Sequence, residues 1–173
     1  MSPLRLQTKS VDLPHPALAT AKVLPSIAPQ PDRVVTVLAI SPCEEDHRSL
    51  RDIFRRSRWS LFHARTCQEA VEFLRLNRIA VIITESELED RCWKDVLGRV
   101  ASSCPPAPRV VVSSRKADDE LWSQALNLGA YNVLAKPFDE QEVFWVVSHA
   151  WLDWKSEWER QFRPAPLSLR ATA

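Results

Sequence analysis

Short apolar runs separated by segments of helical periodicity organise the middle of this chain. Val34-Val35-Thr36-Val37-Leu38-Ala39-Ile40 is an almost unbroken β-branched and apolar run. That is the pattern of a strand buried on both faces, as in a parallel sheet covered by helices. Shorter runs recur at Ala80-Val81-Ile82-Ile83 and Val110-Val111-Val112, with a weaker one at Asn132-Val133-Leu134-Ala135. Trp59-Ser60-Leu61-Phe62-His63-Ala64 alternates, as a strand nearer a sheet edge does. Between the runs, Glu45 to Arg56 sets Leu50, Ile53 and Phe54 at helical spacing, and Cys67 to Leu76 does the same with Ala70, Val71, Phe73 and Leu74. A third helix is expected near Trp93 to Ala101. Asp118 to Leu128 reads as a fourth, closed by Gly129 as the residue after the cap. Asp139-Glu140 opens a fifth with negative charge where the helix dipole favours it.

Five β-α units with short connections imply right-handed crossovers and an α/β fold with a five-stranded, doubly wound parallel sheet, expected over residues 34–153. In such sheets ligands sit beyond the carboxyl ends of the strands, where strand order reverses. The segments at those ends are Ser41-Pro42-Cys43-Glu44-Glu45-Asp46-His47, Thr84-Glu85-Ser86, Ser113-Ser114-Arg115 and Lys136-Pro137-Phe138.

The flanks read differently. Six of the 13 prolines precede Val34, and each removes an N–H donor and restricts its neighbour, so residues 1–33 are expected to be a flexible, disordered arm. At the other end Phe144, Val147, Trp151, Trp154, Trp158 and Phe162 recur at spacings of three or four. One helical stripe therefore continues past the length needed to cover the sheet. Residues 154–173 are expected to be an extension and tail, stopped by Pro164 and Pro166. The aromatic extension either folds back onto the domain or offers a surface to a partner, where tryptophan often anchors binding. Too few residues follow Phe162 for a DNA-binding module, so output is expected through protein contacts.

Charge and composition narrow the function classes. The 23 basic and 22 acidic residues nearly cancel, which argues against a nucleic-acid or anionic-membrane partner. No apolar stretch approaches the ~18 residues of a membrane span. Asp12, Pro14, His15 and Pro16 break up the only region placed like a signal peptide, so a cytoplasmic location is expected. Cys43, Cys67, Cys92 and Cys104 form no C-x-x-C pair, and reduced thiols follow. Cys43 with His47 and Cys67 with His63 lack a third orienting group, so no enzymatic role is expected. With two glycines in the chain, a glycine-rich phosphate loop is excluded.

Leu128-Gly129-Ala130-Tyr131-Asn132-Val133-Leu134-Ala135-Lys136-Pro137-Phe138-Asp139 resembles the G-A-x-x-Y-L-x-K-P-F segment of response-regulator receiver domains. The resemblance implies that Lys136 binds the phosphoryl oxygens or the acceptor carboxylate, with a cis Lys136-Pro137 peptide. It makes Ser113 the switch hydroxyl that bonds the phosphoryl group, and it puts Val133 where the family has an aromatic switch residue. Glu85 then stands where the phosphoacceptor aspartate is expected. One added methylene moves the carboxylate by more than an ångström in a reaction governed by positioning, so ordinary phosphotransfer is not expected. An ion pair between Glu85 and Lys136 is the natural outcome.

The family's Mg²⁺-binding acid pair is replaced by Ser41-Pro42. Of the acids that follow, two of Glu44, Glu45 and Asp46, with Glu44 and Glu45 foremost, either reach back to a Mg²⁺ ion or cap the first helix. The function implied is that of a stand-alone atypical receiver in two-component or phosphorelay signalling. Its partners would be a sensor histidine kinase, a downstream output protein or a second copy. The alternative is a phosphorylation-independent adaptor that uses helix four, strand five and the extended fifth helix.

Overall fold

The computed structural model describes residues 35–102 and 105–162, so the expected N-terminal arm and the tail with its prolines lie outside the described residues. Five parallel strands alternate with five helices. In chain order these are β1 (Thr36–Ile40), α1 (Glu44–Phe54), β2 (Ser60–Ala64), α2 (Cys67–Leu76) and β3 (Val81–Glu85). There follow α3 (Trp93–Ala101), β4 (Arg109–Ser114), α4 (Asp119–Asn127), β5 (Asn132–Ala135) and α5 (Glu140–Phe162). The sheet order is β2-β1-β3-β4-β5, with Leu38 of β1 facing Phe62 on one side and Ile82 on the other. Strand order reverses at β1, which places the expected crevice over the ends of β1 and β3.

Alternation along the buried strands feeds two separate core layers. Val37, Ala39, Val81, Ile83, Val111 and Leu134 face α1 and α5, where they meet Leu50, Phe54, Val143 and Val147. Leu38, Ile40, Ile82 and Val110 face the other way, onto Ala70 and Leu74 of α2 and Val96 and Val100 of α3. Helix starts are fixed locally. The Thr66 hydroxyl accepts from Glu69 N–H at 3.1 Å to cap α2, and the Asp118 carboxylate accepts from Leu121 N–H at 2.9 Å to cap α4. Gly129 follows α4 with φ 96°, the left-handed conformation that only glycine adopts without penalty.

Of the two fates open to the aromatic extension, folding back is the one observed. Trp154 is 3% exposed, belongs to the same core as Val37 and Val147, and donates its indole N–H to the Pro106 carbonyl at 3.1 Å. Trp158 packs against that cluster with the Arg78 guanidinium 5.7 Å from its ring centroid. Arg109, at the start of β4, donates to Asp153 at 2.7 Å and to Glu157 at 2.5 Å. The last turns of α5 thus cover the end of the sheet opposite the crevice, and the helix crosses residues 153 and 154 without a break. No helix among the described residues is long and apolar enough to cross a membrane.

Candidate functional site

The crevice holds a cavity of about 360 Å³ at the carboxyl ends of the strands, with Ser41, Asp46, Glu85, Ser86, Ser114 and Lys136 among its lining residues. Lys136, one residue past β5 and only 5% exposed along its side chain, is its centre. Its ammonium donates to Asp46 Oδ2 at 2.5 Å and to Glu85 Oε2. The Lys136-Pro137 peptide is cis, as the sequence resemblance implies. The Phe138 ring centroid lies 5.7 Å from the ammonium and covers it from one side.

Each carboxylate is held by a second donor. The Ser41 hydroxyl donates to Asp46 Oδ2 at 2.5 Å, while its oxygen accepts the Cys43 N–H at 3.1 Å. Glu85 Oε1 accepts both the Ser86 N–H and the Ser86 hydroxyl at 3.0 Å. The Ser86 oxygen shares a further bond with Ser114 Oγ at 3.2 Å, and Ser114 Oγ accepts the Lys116 N–H at 3.1 Å. A buried ammonium bonded to two carboxylates is a coupled unit. Removing one partner of such a pair leaves an uncompensated buried charge, at a cost of about 3–5 kcal/mol.

A histidine pair adjoins this unit. His47 is buried, and its Nε2 lies 2.8 Å from the Ser41 carbonyl, which can only accept, so Nε2 carries the proton. His47 Nδ1 therefore accepts from His63 Nδ1–H on β2 at 3.0 Å. Burial holds the His63 pKa below its ordinary 6.5, with the neighbouring His47 and Arg51 adding to the effect and Glu44 opposing it.

The site expected from sequence is only partly the site assembled. Glu85 and Lys136 meet as expected. Ser113 is buried, and its hydroxyl donates to the Thr84 carbonyl at 3.2 Å, while the next residue, Ser114, lines the cavity. Val133 is fully buried against α4 with Val112 and Ala125, with no aromatic ring at its place. Glu44 and Glu45 are a correction. Both side chains are exposed, Glu44 at 3.9 Å from Arg51 and Glu45 at 3.5 Å from Arg115. The reason is helical phase: α1 begins at Glu44, each residue turns about 100°, and Asp46 is the first of the three acids to point under the strand ends. Ser86 and Ser114 were not singled out from sequence, and Ser41 was noted only as standing in place of an acid, although each sits in a strand-end segment that topology marks.

A hard divalent cation asks for several oxygen ligands in octahedral array. Asp46, buried, and Glu85, half-buried, are the carboxylates joined in the cavity, and a shared ammonium already lies between them. Among the described residues no group of three or more His, Cys, Asp or Glu could hold a metal ion. The residues present do not fit the Mg²⁺ site that the family implies.

Residues 44–148 match the family model described as the response regulator receiver domain. None of the curated protein sequences matches the chain. Among solved structures, the signal receiver domain of an HD domain-containing protein from Pseudomonas fluorescens Pf-5 is 24% identical with a TM-score of 0.66, covering 73% of this chain and 93% of that one. A two-component response regulator from Clostridium difficile is 20% identical with a TM-score of 0.61, covering 67% and 94%. The receiver domain of the Saccharomyces cerevisiae response regulator Ssk1, solved with the histidine phosphotransfer signaling protein Ypd1, gives 16%, 0.61, 68% and 89%. At such identities the likeness is one of fold, and it agrees with the sheet order and the strand-end crevice. With more than half of its length matched by the family model, the chain belongs to the response regulator receiver domain family, the receivers of two-component and phosphorelay signalling.

Proposed function

We propose that this receiver domain signals through protein contacts without taking up a phosphoryl group, with Glu85 in the place of the acceptor aspartate. The observation that carries the reading is the engagement of both Glu85 oxygens, Oε1 by Ser86 and Oε2 by Lys136. A carboxylate that attacks phosphorus must present a lone pair to the donor in line at about 3–3.5 Å, and the bonds from Ser86 and Lys136 already take three of the four that Glu85 has. It also needs positive charge on the transferring oxygens, because positioning and charge supply nearly all of the catalysis. Here the lysine that would meet the phosphoryl oxygens is spent on two carboxylates of the chain itself.

Such a domain is held in one conformational state until a partner that prefers another binds it. A histidine kinase or phosphotransfer protein, an output protein or a second copy would be read through the surface. On α5 that surface carries Trp145, 59% exposed, and Leu152, 52% exposed, two turns apart on the same face. This exposed apolar pair also favours the adaptor reading, in which no phosphorelay component is needed. Treatment of the purified protein with acetyl phosphate and Mg²⁺, followed by intact-mass measurement, tests the proposal. An unchanged mass is expected, and the mass of one added phosphoryl group overturns it.

A further inference from the structure

We infer that His47, His63 and Glu44 form a seat for a zinc-type divalent ion, one that prefers imidazole nitrogen, where α1 meets β2. The seat uses neither Glu85 nor Lys136 and does not depend on the reading proposed for them.

His47 is held as a metal ligand is held. It is 3% exposed, and its Nε2–H is spent on the Ser41 carbonyl at 2.8 Å, which leaves the Nδ1 lone pair as the acceptor of the ring. A metal-bound histidine almost always gives its other N–H to a carbonyl or carboxylate, because that bond fixes the tautomer and makes the ligating nitrogen more basic. Here the free lone pair faces a second imidazole. The two Nδ1 atoms are 3.0 Å apart, with the rings at 80° and their centroids separated by 4.8 Å, so nitrogen meets nitrogen and no ring face comes between. Two nitrogens bound to tetrahedral zinc at about 2.0–2.1 Å each stand about 3.3 Å from one another. A small outward turn of one ring therefore opens the gap to the required width. His63 is exposed and lies on β2, the edge strand, so it is the ring with room to turn. As the ion takes the place of the Nδ1 proton, that proton passes to Nε2 and the imidazole stays neutral.

Glu44 supplies the third ligand. It is the first residue of α1 and precedes His47 by three positions, which sets the two Cβ atoms about 5–6 Å apart on one side of the helix. Its charge is felt at His63, so the carboxylate stands near both rings. At present it faces Arg51 at 3.9 Å, with both side chains more than half exposed, and contacts of that kind are weak enough to yield to an ion. In this rotamer no three such groups meet among the described residues, so the carboxylate closes on the ion only when the ion arrives. Two imidazoles and one carboxylate, with water in the remaining position, suit zinc and its borderline neighbours. Mg²⁺, which asks for oxygen ligands, is not expected there.

Titration calorimetry of ZnCl₂ into the full chain, free of any affinity tag, tests the seat. One zinc per chain is expected, with no heat from MgCl₂. Loss of a partner that merely orients a ligand costs about 10–100-fold in metal affinity, so His63→Ala, which removes a ligand outright, should weaken binding by at least about 100-fold. Glu44→Gln should weaken it by about tenfold. Cys43, half-buried and next to Glu44, offers the competing thiol, and Cys43→Ser should bind as the wild type does. A wild type that binds no zinc, undiminished affinity in His63→Ala or Glu44→Gln, or affinity lost in Cys43→Ser overturns the inference. If His63→Ala does not fold, the ¹H–¹⁵N histidine spectrum of the wild type decides. Zinc should then shift the Nδ1 resonances of His47 and His63 and leave that of His149 in place; any other pattern overturns the seat.

Discussion

Truncation of Trp154 to alanine tests whether the long last helix is part of the core or an appendage. The indole is 3% exposed, and a tryptophan buries about 150–250 Å² on folding. At about 25 cal/mol per Å² this corresponds to roughly 4–6 kcal/mol, reduced to about 3–5 kcal/mol once a compact unfolded chain is taken as the reference. Trp→Ala substitutions in cores cost about 3–5 kcal/mol, which agrees. Trp154→Phe keeps a ring in place but loses the bond from the indole N–H to the Pro106 carbonyl, for a smaller loss of about 1–2 kcal/mol. Trp145→Ala, on the exposed face of the same helix, should stay within about 0.5 kcal/mol of wild type. Urea unfolding followed by far-UV circular dichroism gives all three values from the transition midpoint at unchanged slope. A Trp154→Ala loss below about 1 kcal/mol, or one no larger than that of Trp145→Ala, would refute the folded-back packing.

Arg109→Met removes the partner of both Asp153 and Glu157, and because the arginine side chain is mostly buried the cost should reach about 1–3 kcal/mol in the same urea assay. Ser41→Ala deletes the hydroxyl donated to buried Asp46 and should destabilise by about 1–3 kcal/mol; equal stability of this variant and the wild type would show that Asp46 does not depend on it. His63 has a folded pKa below its ordinary 6.5, so the folded state binds fewer protons than the unfolded chain as pH falls. Its contribution is therefore complete above 6.5 and is lost as pH drops toward the folded value, and urea midpoints measured at stepwise lower pH should fall more steeply in wild type than in His63→Gln.

The layers of the fold were legible because burial leaves a period in the sequence. Thr36–Ile40, Val81–Glu85 and Arg109–Ser114 are recognisable as central strands from their apolar runs alone, and Asp118 and Gly129 bracket α4 with side-chain and backbone requirements that act within a few residues. Lys136 and Glu85 could be paired in advance because topology brings the ends of β3 and β5 to one edge of the sheet, whatever the side chains do next.

Asp46 could not be chosen over Glu44 and Glu45 in the same way. Which of three consecutive acids turns inward depends on where α1 begins and how its axis lies across the sheet, and a shift of one residue turns the face by about 100°. Likewise, whether Ser113 or Ser114 meets the cavity depends on where the pleat of β4 ends, and the fate of the helix end depended on Pro106 at Trp154, Arg78 at Trp158 and Arg109 at Asp153, none of them close to it in sequence. The sequence by itself determined the alternation of strands and helices, the edge where chemistry collects and the family signature around Lys136, since these rest on local periodicity and on connection rules. Only the tertiary structure decided that Lys136 is shared between Glu85 and Asp46 and that Trp154 of the helix end is core, because both are contacts between distant segments, fixed by packing.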